Sequence, residues 1–132
     1  MADSTQLIMA MLVDDSPEFA RSATRFLKKE SGIWLTAVAV TVHEALNMIV
    51  AYPPDIVLLD IKLPDVDGIR AVPLIKALPN APKIIVLTLH EENEYEDLAR
   101  ARGADGFVHK SDFSTQIIPM IRQLFDQTPS PA

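Results

Sequence analysis

The chain contains no cysteine, which excludes a disulfide framework and any thiolate metal or redox site. No apolar run approaches the roughly 18–20 residues needed to cross a bilayer, so no helical membrane span is expected. The first residues, Met1-Ala2-Asp3-Ser4-Thr5, carry no basic segment ahead of the apolar stretch, and a secretory signal is not expected either. These absences point to the cytoplasm. Also missing is any cluster of five or more basic residues, and the formal charge is −6. Nucleic-acid binding draws most of its affinity from Lys and Arg on phosphates, so direct DNA contact by this segment is disfavoured. There is no internal repeat and no low-complexity tract.

What is present is a 132-residue chain, 48% hydrophobic and 23% charged, enough for one domain with a full core. Short apolar runs alternate with amphipathic stretches. Gln6 to Val13 reads as a buried strand ending at Asp14-Asp15. Ser16 then offers a helix N-cap with Pro17 at the first helical position, and Gly32 a left-handed close. Trp34 to Val40 is strand-like, and Thr41 with Glu44 forms a capping-box pattern before the next helix. Ile56-Val57-Leu58-Leu59 is a continuous apolar run ending at Asp60, the pattern of a central parallel strand. After a loop with Pro64, Asp65, Asp67 and Gly68 comes a helix through Leu74 and Ile75, with Pro73 expected near its first turns. Lys83 to Leu87 is a strand ending at Thr88, and Glu91 to Arg102 a polar helix stopped by Gly103. Gly106 to His109 is a last strand ending at Lys110, before a helix marked by Ile117, Ile121 and Phe125, with Ser114 as its expected cap.

Five strands alternating with five helices predict a doubly wound, parallel α/β domain over residues 1–126, with 127–132 as a flexible tail or the start of a linker. Right-handed crossovers put every strand's C-terminal end on one edge of the sheet, where such folds bind ligands. Asp14-Asp15, Asp60, Thr88 and Lys110 all stand at those ends. Carboxylates brought together repel unless a cation joins them, and hard oxygen ligands suit Mg²⁺. A lysine and a hydroxyl facing the same point suit the oxygens of a transferring phosphoryl group, and a carboxylate can itself accept that group. The residues together describe a Mg²⁺-assisted phosphoryl-transfer site with an aspartate nucleophile.

The segments Leu12-Val13-Asp14-Asp15-Ser16, Leu58-Leu59-Asp60-Ile61-Lys62-Leu63-Pro64-Asp65-Val66-Asp67-Gly68, Val86-Leu87-Thr88 and Gly103-Ala104-Asp105-Gly106-Phe107-Val108-His109-Lys110 resemble the receiver domains of two-component response regulators. The likeness runs in order over about residues 6–126. It is nearest to receivers that precede a helix-turn-helix output domain of the LuxR class, and it implies the flavodoxin-like (βα)5 fold. It further implies that Asp60 is the phosphoacceptor and that Asp14, Asp15, Asp60 and the Lys62 backbone carbonyl form the Mg²⁺ site. Thr88 and Lys110 then contact the phosphoryl group, and Thr88 moves together with a switch aromatic, Phe107. The implied donor is a sensor histidine kinase or phosphotransfer protein. Phosphorylation would change the surface around the fourth helix, fifth strand and fifth helix, to control an output domain or partner. A homodimer is compatible with the resemblance. Such a domain is a signalling switch rather than a metabolic enzyme, assisting its own phosphoryl transfer and slow autodephosphorylation.

Two departures from the family pattern stand out: Ser111 replaces the proline that often follows the lysine, and Leu89 is bulky where a small residue is common. Lys62 and His90 occupy positions whose side chains flank the site in this family. Lys62, Leu89 and His90 are therefore candidates for tuning the aspartyl-phosphate lifetime. Taken singly, each landmark has an ordinary explanation: an acidic pair at a helix N-terminus, a loop aspartate, a surface lysine, a core phenylalanine. Their joint order outweighs those explanations. Two rivals follow from the same residues. An aspartate-nucleophile phosphatase would want an acid two residues beyond Asp60, where Lys62 stands. A phosphorylation-independent binding module has no need of the intact acidic pair, threonine and lysine.

Overall fold

The computed structural model describes residues 7–89 and 93–125. Along the chain run β1 (Ile8–Val13), α1 (Pro17–Lys28), β2 (Ile33–Ala39), α2 (Val42–Ala51), β3 (Ile56–Asp60), α3 (Gly68–Lys76), β4 (Lys83–Thr88), α4 (Asn93–Ala101), β5 (Gly106–His109) and α5 (Phe113–Leu124). A 3₁₀ turn at Lys110–Asp112 leads into α5. All strand pairs are parallel, in the order β2-β1-β3-β4-β5, so the expected doubly wound sheet is borne out. In this order the chain reverses direction across the sheet between β1 and β3, and the crevice at that switch point is where such folds place their sites.

The strands form where the sequence offers apolar residues to both faces. Every residue of β3 is buried, and each large side chain so buried contributes on the order of 1.5–3 kcal/mol. One core cluster, including Ala45, Ile49, Val72, Ile75 and Ala99, joins the sheet to α2, α3 and α4. The other, including Ala23, Leu27, Ile117 and Ile121, joins it to α1 and α5.

Local signals set most helix starts. Ser16 Oγ accepts the Phe19 N–H with Pro17 in the first turn of α1. Thr41 Oγ1 accepts the Glu44 N–H, while the Glu44 carboxylate reaches back to the Val40 N–H at 2.8 Å, one residue beyond the usual capping-box partner. Three expectations shift. Gly32 is left-handed at φ +87°, but it lies in the turn toward β2, after α1 has already ended at Lys29. Pro73 sits inside α3 rather than in its first turn; lacking an N–H, it leaves that position of the helix ladder without a donor. Ser114 lies inside α5, whose N-cap is Asp112, because the 3₁₀ turn delivers the chain two residues earlier. The Lys110–Ser111 peptide is trans, as Ser111 in place of proline favours. His90, the start of the expected Glu91–Arg102 helix and the tail at 127–132 lie outside the described residues.

Candidate functional site

Burial and charge meet at the C-terminal edge of the sheet. Asp14 follows β1, Asp60 and Thr88 are the last residues of β3 and β4, and Lys110 follows β5. Asp14, Asp60 and Thr88 are the buried polar residues there, at 1%, 7% and 1% exposure. Asp15 is exposed at the rim. One oxygen from each of Asp14, Asp15 and Asp60 falls within 4.8 Å of the others. Lys110 Nζ stands 2.7 Å from Asp14 Oδ2 and 3.4 Å from Asp60 Oδ1. The close approach to Asp14 is charge against charge, since Asp14 Oδ2 has no aligned hydrogen bond. Its other oxygen accepts the Ser16 N–H at 2.8 Å, which fixes the carboxylate.

The Asp60 carboxyl is pushed up to about 6, first because burial penalises its charged form and then because Asp14 lies beside it; Lys110 and the Lys62 N–H oppose the shift. Three carboxylates facing one ammonium leave the cluster net negative. Oxygen-only donors, one of them a buried oxygen without an aligned hydrogen bond, suit a hard divalent cation. A cleft of about 270 Å³ opens onto this group, lined by Asp15, Asp60, Lys62, Thr88, Leu89 and Lys110 among others.

The residues picked out from sequence are thus largely brought together. Lys62 and Leu89 flank the cleft, and Leu89 is 76% exposed at its mouth. Phe107 does not reach the cleft. It is buried on the α2–α3–α4 side of the sheet, edge-on to His109 at 5.6 Å.

Several contributors are not legible as motifs. The Phe19 ring lies 4.3 Å from Lys110 Nζ and packs edge-on against Phe113, steering the lysine with an attraction worth about 0.5–2 kcal/mol. Asp65 reaches across from the β3–α3 loop to accept the Val42 and His43 N–H groups of α2 at 3.0 and 2.9 Å. Those bonds, the Val42 N–H above all, hold the Asp65 carboxyl below its ordinary value. Gly68 closes the same loop: its N–H donates to Ile61 O at 2.6 Å, and a Cβ there would run into the Asp60 and Ile61 backbone. For Phe19 the available signal is an aromatic four residues beyond Asp15, ambiguous with a core position; for Asp65 there is none locally, because its partners are distant in sequence.

Comparison with known proteins agrees with this geometry. Residues 10–122 match the family model of the response regulator receiver domain. The response regulator GacA of Pseudomonas aeruginosa is 28% identical over 120 residues, which is 90% of this chain and 56% of GacA. A two-component response regulator of the LuxR family from Aurantimonas sp. SI85-9A1 superposes with a TM-score of 0.86 at 29% identity, covering 96% of this chain and 91% of that one. The signal receiver domain of NarL from Mycobacterium tuberculosis shares the fold, with a TM-score of 0.85 at 24% identity over 93% of this chain and 99% of that one. The chain spans about half the length of the curated relatives it matches. Among the described residues no helix is long and apolar enough to cross a membrane.

Proposed function

The chain belongs to the response regulator receiver domain family, and on that premise we propose that Asp60 accepts a phosphoryl group from a sensor histidine kinase or phosphotransfer protein. The observation that carries this reading is the meeting of Asp14, Asp15, Asp60 and Lys110 in one cleft at the sheet's C-terminal edge. With its carboxyl at about 6, Asp60 is ionised at neutral pH and available as a nucleophile. A carboxylate oxygen attacks phosphorus, the new O–P bond forms as the P–N bond to the donor imidazole breaks, and the departing imidazole takes a proton from solvent water.

Asp14, Asp15, Asp60 and the Lys62 carbonyl would hold Mg²⁺, which when bound neutralises charge on the phosphoryl oxygens. Lys110 Nζ, between Asp14 and Asp60, would pair with a phosphoryl oxygen, and the Thr88 hydroxyl would donate to another. Phosphorylation adds about −1.5 to −2 charges. That charge draws Lys110 and Thr88 toward Asp60 and biases the surface formed by α4, β5 and α5, which would govern an output domain or partner. Lys62 and Leu89 set the access of water to the phosphoryl group and so its lifetime.

The test is intact mass after incubation with acetyl phosphate and Mg²⁺. A gain of about 80 Da, one phosphoryl group, in wild type and not in Asp60→Asn supports the reading. No gain in wild type turns it toward a phosphorylation-independent binding module.

A further inference from the structure

Ser16, two residues beyond Asp14, caps α1, and a short run of hydrogen bonds ties the acidic site to the first turn of that helix. Asp14 Oδ1 accepts the Ser16 N–H at 2.8 Å, and Ser16 Oγ accepts the Phe19 N–H at 3.3 Å. The turn that fixes the Asp14 carboxylate therefore also fixes where the Phe19 side chain starts.

From there the ring reaches the connection between β5 and α5. It lies 4.3 Å from Lys110 Nζ and meets Phe113 edge-on, with centroids 5.2 Å apart and planes at 80°. Lys110 and Phe113 stand at the two ends of the 3₁₀ turn that opens α5, so one ring touches both. Phe26, two turns further along α1, closes on Phe113 at 5.8 Å and 66°. Edge-to-face contacts of this kind hold the Phe19 ring in one orientation.

Packing alone does not call for an aromatic at this position. Phe19 is only partly buried, at the margin of the core between α1 and α5, where leucine would also fill space. Leucine would lack a negative ring face, and a cation stands over that face. The Lys110 side chain is 7% exposed, with its ammonium 2.7 Å from Asp14 Oδ2 and 3.4 Å from Asp60 Oδ1. Asp14 Oδ2 has no aligned hydrogen bond, so that contact draws the charge without fixing its direction. A long, flexible side chain must also be frozen to keep the ammonium there. The ring helps in a way a carboxylate cannot. It attracts the charge as a whole and has no lone pair to claim an N–H, which leaves those donors for oxygens arriving at Asp60.

We propose that Phe19 is a positioning residue for phosphoryl transfer: its ring face holds the Lys110 ammonium beside Asp60 with N–H donors uncommitted. The proposal rests on the reading of Asp60 as the acceptor and adds to it a residue that acts only through Lys110.

The experiment replaces Phe19 in the full chain by leucine and, site-specifically, by mono-, tri- and pentafluorophenylalanine. Ring fluorines drain the face of negative charge while nearly keeping its outline, so the series separates electrostatics from packing and does not depend on Phe19→Leu folding well. The rate of phosphorylation by acetyl phosphate and Mg²⁺, read by intact mass, should fall stepwise with fluorination at a steady urea midpoint. The full loss should be about two- to thirtyfold, the range of a cation–ring attraction. Phe26→Leu, which trims the same aromatic group without touching Lys110, should leave the rate unchanged. In metal-free protein with no phosphodonor, the ε-proton signals of Lys110 should show a ring-current displacement that Phe19→Leu abolishes. A flat rate across the fluorinated series overturns the proposal, as does the absence of that displacement in wild type. Equal slowing by Phe26→Leu assigns the effect to packing and overturns it too. No mass gain in wild type defeats the acceptor reading and this proposal with it, whereas a normal gain with a flat series defeats the proposal alone.

Discussion

Replacing Gly68 with alanine should destabilise the domain even though the same change at an ordinary helix position would stabilise it. Gly68 opens α3 and does not have positive φ, so conformational entropy and helix propensity alone favour alanine by about 0.4–1 kcal/mol. The surroundings oppose this. An added Cβ would stand 2.7 Å from Ile61 Cα, 2.9 Å from the Asp60 carbonyl carbon, and closer still to the Asp60 carbonyl oxygen. Contacts between carbons are comfortable only at about 3.5–4.0 Å, and backbone cannot rotate away as a side-chain tip can. The β3–α3 loop must therefore open by about 1 Å, which breaks the 2.6 Å bond from Gly68 N to Ile61 O. Overpacking of this kind costs about 1–3 kcal/mol and the lost hydrogen bond about 1, leaving a net loss of about 1–3 kcal/mol. The assay is urea unfolding, where a slope of about 1–3 kcal/mol/M makes this a midpoint drop of about 1 M. The same displacement moves Asp60, so the rate of phosphorylation by acetyl phosphate should fall too. An unchanged or higher midpoint would refute the reasoning, because its sign is then that of propensity alone.

Other consequences follow from the electrostatics of the site and its loop. In metal-free buffer, Asp60→Asn should be more stable than wild type at pH 7.5. Its folded value near 6 lies above the ordinary 3.8, so stability from the protonated group is complete below about 3.8 and lost as pH rises through 6. Two units correspond to about 3 kcal/mol, reduced to about 1–2 by solvent screening at the cleft mouth; a gap in urea midpoints that fails to close toward pH 4 would contradict this. Asp65→Ala should cost about 0.5–1 kcal/mol by uncapping α2. Because the Asp65 value is lowered, its contribution is present above the ordinary carboxylate value and fades as pH falls below it. A variant as stable as wild type at pH 7 would show that the two N–H bonds count for nothing. Leu89→Ala, which opens the cleft mouth, should shorten the aspartyl-phosphate lifetime several-fold by admitting water; an unchanged decay rate removes Leu89 from the tuning residues.

The sheet and the acidic cleft were readable because each rests on a local pattern repeated along the chain. A buried strand such as Ile56–Asp60 shows as an apolar run, and its polar last residue marks the edge where the site assembles. Helix ends written by a single residue, Ser16 and Thr41, were equally plain. What escaped depends on neighbours distant in sequence. Ser114 has the chemistry of a cap, but the 3₁₀ turn starts α5 before it. Pro73 stands inside α3, beyond its first turn, because packing of Ile75 against the sheet outweighs one missing donor. The Asp65 clamp on α2 and the Phe19 ring under Lys110 join elements that no spacing rule connects.

The central claim is that one carboxylate, Asp60, receives the phosphoryl group. Borohydride trapping after treatment with acetyl phosphate and Mg²⁺, followed by peptide mapping, tests it most directly. The account predicts a single reduced position at Asp60, absent in Asp60→Asn. Trapping at Asp15 or Asp14, or an Asp60→Asn variant labelled as fully as wild type, would contradict it.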